Sequence, residues 1–171
     1  MKGSNATSRA FLTAIATSRW CCTQLPVTRR ARIWSPPAAE LSAWARAALG
    51  RRARGAELAL RVVGTTESRR LNAHYRGKDA PTNVLSFPAM PSAVAQAGLL
   101  GELVICPAVL RDEARAQHKS ARAHWAHMVV HGVLHLVGYD HELPEQARRM
   151  ERREIRTLRR LGIANPYRTE R

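Results

Sequence analysis

The segment order of this chain predicts an α+β domain. A small mixed β-sheet of about four strands packs with about five helices, and a central apolar helix carries a set of histidines. Two observations point there. Segments of strand and helix periodicity follow as strand, helix, strand, helix, strand, strand, helix, helix, helix. Residues 121–137 are apolar on most faces, as a buried central helix is. At 171 residues the chain suits one domain with an ordinary core. We expect a single domain over residues 25–171, preceded by a disordered extension over residues 1–24.

The extension is rich in Ser, Thr, Ala and Arg, and the first acid in the chain is Glu40. It reads either as an organelle transit peptide or as a plain leading extension; a secretory signal would need a longer apolar core. Residues 27–34 alternate weakly, as a first strand, until Pro36-Pro37 breaks the pattern. Residues 38–49 form a helix with Leu41, Trp44, Ala45, Ala48 and Leu49 as its apolar stripe. A basic connector, residues 51–55, leads to a strand over 57–63, with Leu58, Leu60 and Val62 on one face. Gly64-Thr65-Thr66 precedes a helix over 67–75. Strands over 84–87 and 100–106 flank a loose run of small residues. Helices over 107–117, 121–137 and 144–161 follow, the last stopped by Gly162.

The net charge is +15, and nearly all the cations are Arg. Residues 1–56 hold ten Lys and Arg against one acid, residues 57–141 nine against seven, and residues 142–171 nine against five. The excess therefore sits at both ends. Such a surface attracts a polyanion, most commonly nucleic acid; an arginine-rich proteome would also produce it. The last helix, residues 148–160, suits docking on RNA, or is a solvated face with pairs such as Glu145–Arg149. Three cysteines make no disulfide scaffold, so we expect no disulfide-linked partner, a reduced compartment, and a buried Cys106 thiol. No stretch is long enough to span a membrane. These features predict a cytoplasmic protein, with organelle targeting through the extension as the alternative.

The chemistry centres on His131-Gly132-Val133-Leu134-His135-Leu136-Val137-Gly138-Tyr139-Asp140-His141. Histidines four apart share a helix face, so His131 and His135 can reach one ion. Gly138 can adopt the left-handed conformation that turns the chain and returns His141 to that ion. Three imidazoles with a fourth position open describe a catalytic zinc site holding one ion per chain. Zinc proteases of the H-E-x-x-H-x-x-G-x-x-H type share the spacing but carry a glutamate base where this chain has Gly132. The cage is kept and the base for peptide hydrolysis is absent. His127 lies four residues before His131 on the same stripe. It is about 12 Å along the axis from His135, too far to share the ion, and is assigned as a substrate contact or proton carrier. His74, His118 and His124 have no ligand spacing and are expected to be structural or exposed.

Residues Leu71-Asn72-Ala73-His74-Tyr75-Arg76-Gly77-Lys78-Asp79-Ala80-Pro81-Thr82-Asn83-Val84-Leu85-Ser86-Phe87-Pro88 resemble a signature of the bacterial YbeY family. So do the His131 to His141 segment, Met150-Glu151, Glu154, and Leu161-Gly162 followed by Pro166-Tyr167. The resemblance spans roughly residues 38–167. It implies a metal-dependent, single-strand-specific endoribonuclease acting in ribosomal RNA processing, notably small-subunit 3′-end maturation, and in ribosome quality control. Implied partners are ribosomal RNA, the small subunit and its assembly factors. His131, His135 and His141 match the family's zinc ligands, and Arg76 its other functional residue. Leu100-Gly101-Glu102 departs from the family's Leu-Gly-Asp, so a role for that carboxylate is open beside a buried structural one.

For RNA hydrolysis, zinc can act as a Lewis acid, and Arg76 can grip a phosphate with its planar fork of donors. Lys78 is a candidate second phosphate contact. Asp140 either orients a ligand imidazole from behind or caps its own turn. The competing functions are a non-catalytic zinc-containing ribosome-assembly factor and, more remotely, a zinc metalloprotease.

Overall fold

The computed structural model describes residues 26–92 and 98–168. The expected extension, Cys21 and Cys22 lie outside the described residues. The elements run β1 (Val27–Arg29), α1 (Ala38–Leu49), a 3-10 turn (Gly50–Ala53), β2 (Glu57–Val62), α2 (Thr65–Arg76), β3 (Val84–Pro88), β4 (Leu99–Ile105), α3 (Pro107–Ala116), α4 (Ala121–Leu136) and α5 (Pro144–Arg160). The fold is α+β, as expected. The sheet order is β1-β2-β4-β3; β1, β2 and β4 are parallel, and β3 is antiparallel to β4.

β1 is shorter than the expected 27–34. Arg29 already pairs with Val62, the last residue of β2, and the Arg30 N–H makes the closing ladder bond to the Val62 carbonyl at 2.8 Å. Beyond that point the neighbouring strand offers no backbone partner. The Arg29 side chain instead reaches forward to Ser35 Oγ (3.1 Å) and the Pro36 carbonyl (2.8 Å). Between β2 and β4 the register slips at Glu57/Leu58, opposite Gly101. Gly101 has φ +138°, and a Cβ there would come within 2.1 Å of the Phe87 carbonyl oxygen, so only glycine fits this bulge.

Period-two alternation sends Val84, Leu103 and Ile105 to one face of the sheet and Leu85 and Val104 to the other. The first face builds the main core with α1 and α4, through Leu41, Trp44, Val129, Val133 and Leu134. Leu71 of α2 and Phe87 cover a smaller cluster on the second face. α4 is buried almost all round, from His124 to Leu136, as its pattern required. Ser120 caps it by accepting the Ala123 N–H at 3.2 Å.

At Gly132 α4 lies close against the sheet. A Cβ there would stand 2.8 Å from Leu103 Cδ2 and 3.2 Å from both Ser86 Oγ and Val84 Cγ2. The Ser86 hydroxyl donates to the Gly132 carbonyl at 3.1 Å. The residue that would be the base in a protease thus sits where helix and sheet touch. Gly132→Glu would bury a carboxylate between Leu103 and Val84. We expect it to destabilise the protein by about 3 kcal/mol or more, read as a lower urea midpoint at unchanged slope, with no gain of casein cleavage.

Candidate metal centre

One helical turn brings His131 and His135 together, with their Nε2 atoms 3.1 Å apart. α4 then ends as the glycine predicts. Gly138 has φ +89°, the Tyr139 N–H bonds back to the Leu134 carbonyl at 3.0 Å, and the chain reverses. Asp140 Oδ1 accepts the His141 N–H at 2.7 Å and fixes the turn. The His141 ring arrives 4.9 Å from His135 and 5.6 Å from His131, centroid to centroid. Nitrogens of the three rings lie within 4.8 Å of one another. Imidazoles on one zinc ion have nitrogens about 3.4 Å apart, so small rotations suffice to close this set on a metal.

Behind the trio stands Glu154 of α5, with no exposed surface. Its Oε1 lies 2.8 Å from His131 Nδ1, its Oε2 lies 3.0 Å from His127 Nε2, and the Tyr167 hydroxyl donates to Oε2 as well. Burial pushes this carboxyl up, but the three donors outweigh burial and hold its pKa at about 2. A carboxylate there accepts the Nδ1–H of His131 and leaves the Nε2 lone pair aimed at His135 and His141, the tautomer a metal ligand needs. Burial, helped by the neighbouring rings of His131 and His141, lowers His135 to about 4, so its ring is neutral at physiological pH. The donor set therefore fits a divalent zinc-like ion: three imidazoles in front and an anchoring carboxylate behind.

Residues 34–162 match the family model described as Endoribonuclease YbeY. The chain belongs to the YbeY endoribonuclease family. Its fold is also similar to the solution structure of TM1509 from Thermotoga maritima. That match has a TM-score of 0.54 and 23% identity, and covers 81% of this chain and 91% of that one. Membership places the chain among endoribonucleases, with a general role in ribosomal RNA processing.

The other candidate residues fall into two groups. His127 and Asp140 lie beside the three histidines. His127 is 8% exposed and bonded to Glu154, and Asp140 caps its own turn while drawing positive charge toward His135. Arg76 and Lys78 are exposed at the C-terminal end of α2 and in the following loop, and neither makes a polar contact with the three histidines among the described residues. The loop itself is pinned. Asn72 Nδ2 donates to the Ala80 carbonyl (2.8 Å), Ser68 Oγ to the Thr82 carbonyl (2.9 Å), and Asn83 Nδ2 to Glu113 (3.1 Å). Glu102, the departure from the family's aspartate, makes a two-pronged pair with Arg61, 3.1 Å on each arm. His124 Nε2 lies 2.8 Å from Glu113 Oε2.

Sequence reasoning missed what Glu154 and Tyr167 do. One signal was available: Glu154 lies four residues after Met150 and four before Leu158, a carboxylate on the buried stripe of α5. Buried carboxylates need donors, and the histidine stripe of α4 supplies them. Glu154→Gln would offer His131 a poorer acceptor. We expect zinc affinity to fall about 10- to 100-fold, measured by competition with a chromophoric chelator.

Proposed function

We propose that the chain is a zinc-dependent, single-strand-specific endoribonuclease that acts in maturation of the small-subunit ribosomal RNA 3′ end and in ribosome quality control. The observation that carries this reading is the convergence of His131, His135 and His141 on one point, backed by Glu154, in a member of an endoribonuclease family. On this reading its partners are single-stranded ribosomal RNA, the small subunit and its assembly factors, in the cytoplasm. No helix among the described residues is long and apolar enough to cross a membrane.

His131, His135 and His141 would hold the ion. When bound, it supplies Lewis acidity toward a phosphate oxygen or water. The chain's own residues do the rest. Glu154 keeps His131 in the ligand tautomer, and His127 and Tyr167 keep Glu154 ionised and oriented. His127 is thus a positioning residue. Arg76 is exposed on a stem pinned by Asn72 and Ser68, and its guanidinium fork suits a phosphate oxygen pair; Lys78 follows as a point charge. The packing of Gly132 against the sheet removes the support for a metalloprotease.

Metal content and cleavage of a precursor ribosomal RNA, compared across wild type, His135→Ala and Arg76→Ala, test the reading. Wild type should carry about one zinc per chain and cut. His135→Ala should lose both properties. Arg76→Ala should keep its zinc and cut about 100- to 1,000-fold more slowly. Undiminished cutting by zinc-free His135→Ala protein would remove the metal from the reaction; zinc-loaded wild type that binds RNA and cuts nothing would leave an assembly factor.

A further inference from the structure

α5 presents Arg148, Arg152, Arg156, Arg159 and Arg160 to solvent. At 100° per residue they fall within an arc of about 120°, spread over about 18 Å of axis. The opposite side is buried through Met150, Glu154, Thr157 and Leu158. Among the described residues, none of these five guanidiniums forms an ion pair with an acid, whereas three exposed arginines elsewhere do: Arg69 with Asp79, Arg111 with Asp112, Arg122 with Glu40; what sets the five apart is that they lie in one row. The pair Glu145–Arg149, which would neutralise part of the face, is not formed; Arg149 instead lies over the Tyr139 ring at 5.6 Å. Like charges four residues apart oppose a helix, so the row works against the fold unless something anionic lies along it.

The row also has a fixed relation to the metal centre. Tyr139 belongs to the turn that delivers His141, so Arg149 joins α5 to that turn. From the other side Arg52, in the 3-10 turn, donates to the Val137 carbonyl at 3.2 Å, and Arg153 donates to the Ala48 carbonyl at 3.2 Å beside that same turn. Arg52 and Arg149, distant in sequence, thus meet residues 137–139 from two sides.

We propose that the arginine row of α5 is an RNA-docking ridge that grips phosphates outside the bond being cut. The proposal rests on the endoribonuclease reading for the identity of the polyanion, and on charge complementarity for the contact. An isolated row of guanidiniums reads no base edges, so the ridge adds affinity and orientation without sequence preference.

The test compares full-length, zinc-loaded wild type with Arg148→Gln/Arg152→Gln/Arg156→Gln, with the same three positions changed to Lys, and with a control carrying Arg32→Gln, Arg70→Gln and Arg115→Gln. The control removes equal charge from exposed positions elsewhere. Binding of a structured ribosomal RNA fragment is read between about 50 and 200 mM salt, beside cleavage of a short single-stranded oligonucleotide. We expect the ridge variant to bind the fragment about tenfold or more weakly and to lose about two units of log–log salt slope. Oligonucleotide cleavage should stay within about twofold, and the Lys variant and the control should resemble wild type. Unchanged affinity and slope in the ridge variant, or equal losses in the control, would overturn the ridge. Thermal melts separate either result from misfolding. If wild type cuts no RNA yet the ridge variant alone loses binding, the nuclease reading fails and the docking surface stands.

Discussion

A single buried charge governs this structure. Glu154 has no contact with water, and removing a carboxylate from solvent is costly unless donors surround it. Here the donors come from His127 and His131 on α4 and from Tyr167 beyond α5. The requirement to satisfy one anion therefore fixes how α5 crosses α4, where the C-terminal segment lies, and which nitrogen of His131 is free. Packing and chemistry are coupled at that atom. If α5 were displaced, His131 would lose the acceptor that sets its tautomer, even with every ligand still in place.

Close approach is the second constraint. α4 can lie against β3 and β4 because Gly132 has no side chain, and Ser86 uses the gap to bond the Gly132 carbonyl. The resemblance to zinc proteases in the spacing of the three histidines is consequently shallow. The position that carries their base is here a packing contact between helix and sheet. The shared part is helical pitch plus a left-handed glycine, a short solution to bringing three imidazoles together.

Helix α4, its ending at Gly138 and the clustering of three histidines were legible because each follows from local periodicity and turn chemistry. The amphipathic stripe of α1 was legible for the same reason, and all five of its apolar positions are buried. The end of β1 was not, because strand length is set by the partner: β2 ends at Val62 and leaves residues 31–34 with nothing to pair with. The partners of Glu154 and of Glu102 were invisible for a related reason. Arg61 and Glu102 are 41 residues apart in sequence and meet only because β2 and β4 are adjacent in the sheet, although α2 and β3 separate them along the chain. The spacing puts His127 on the ligand stripe, but its hydrogen bond to Glu154 depends on where α5 crosses α4, which no local pattern encodes.

The charge pattern gains meaning only in three dimensions. Along the chain the basic excess sits at the two ends and the middle is nearly neutral, as though the arginines had no relation to the histidine motif. Folding reverses that impression. α1 and α5 both pack on α4, the 3-10 turn after α1 reaches the end of α4 through Arg52, and α5 reaches the following turn through Arg149. The nearly neutral middle supplies the core and the metal ligands, and the basic flanks are folded back around the metal-binding turn. A cationic surface held next to a small catalytic centre divides the work physically. Long-range attraction, which is weakened by salt and indifferent to sequence, brings a polyanion to the surface. Contact at the three clustered imidazoles is local by comparison, set by one helical turn and the Gly138 reversal rather than by net charge.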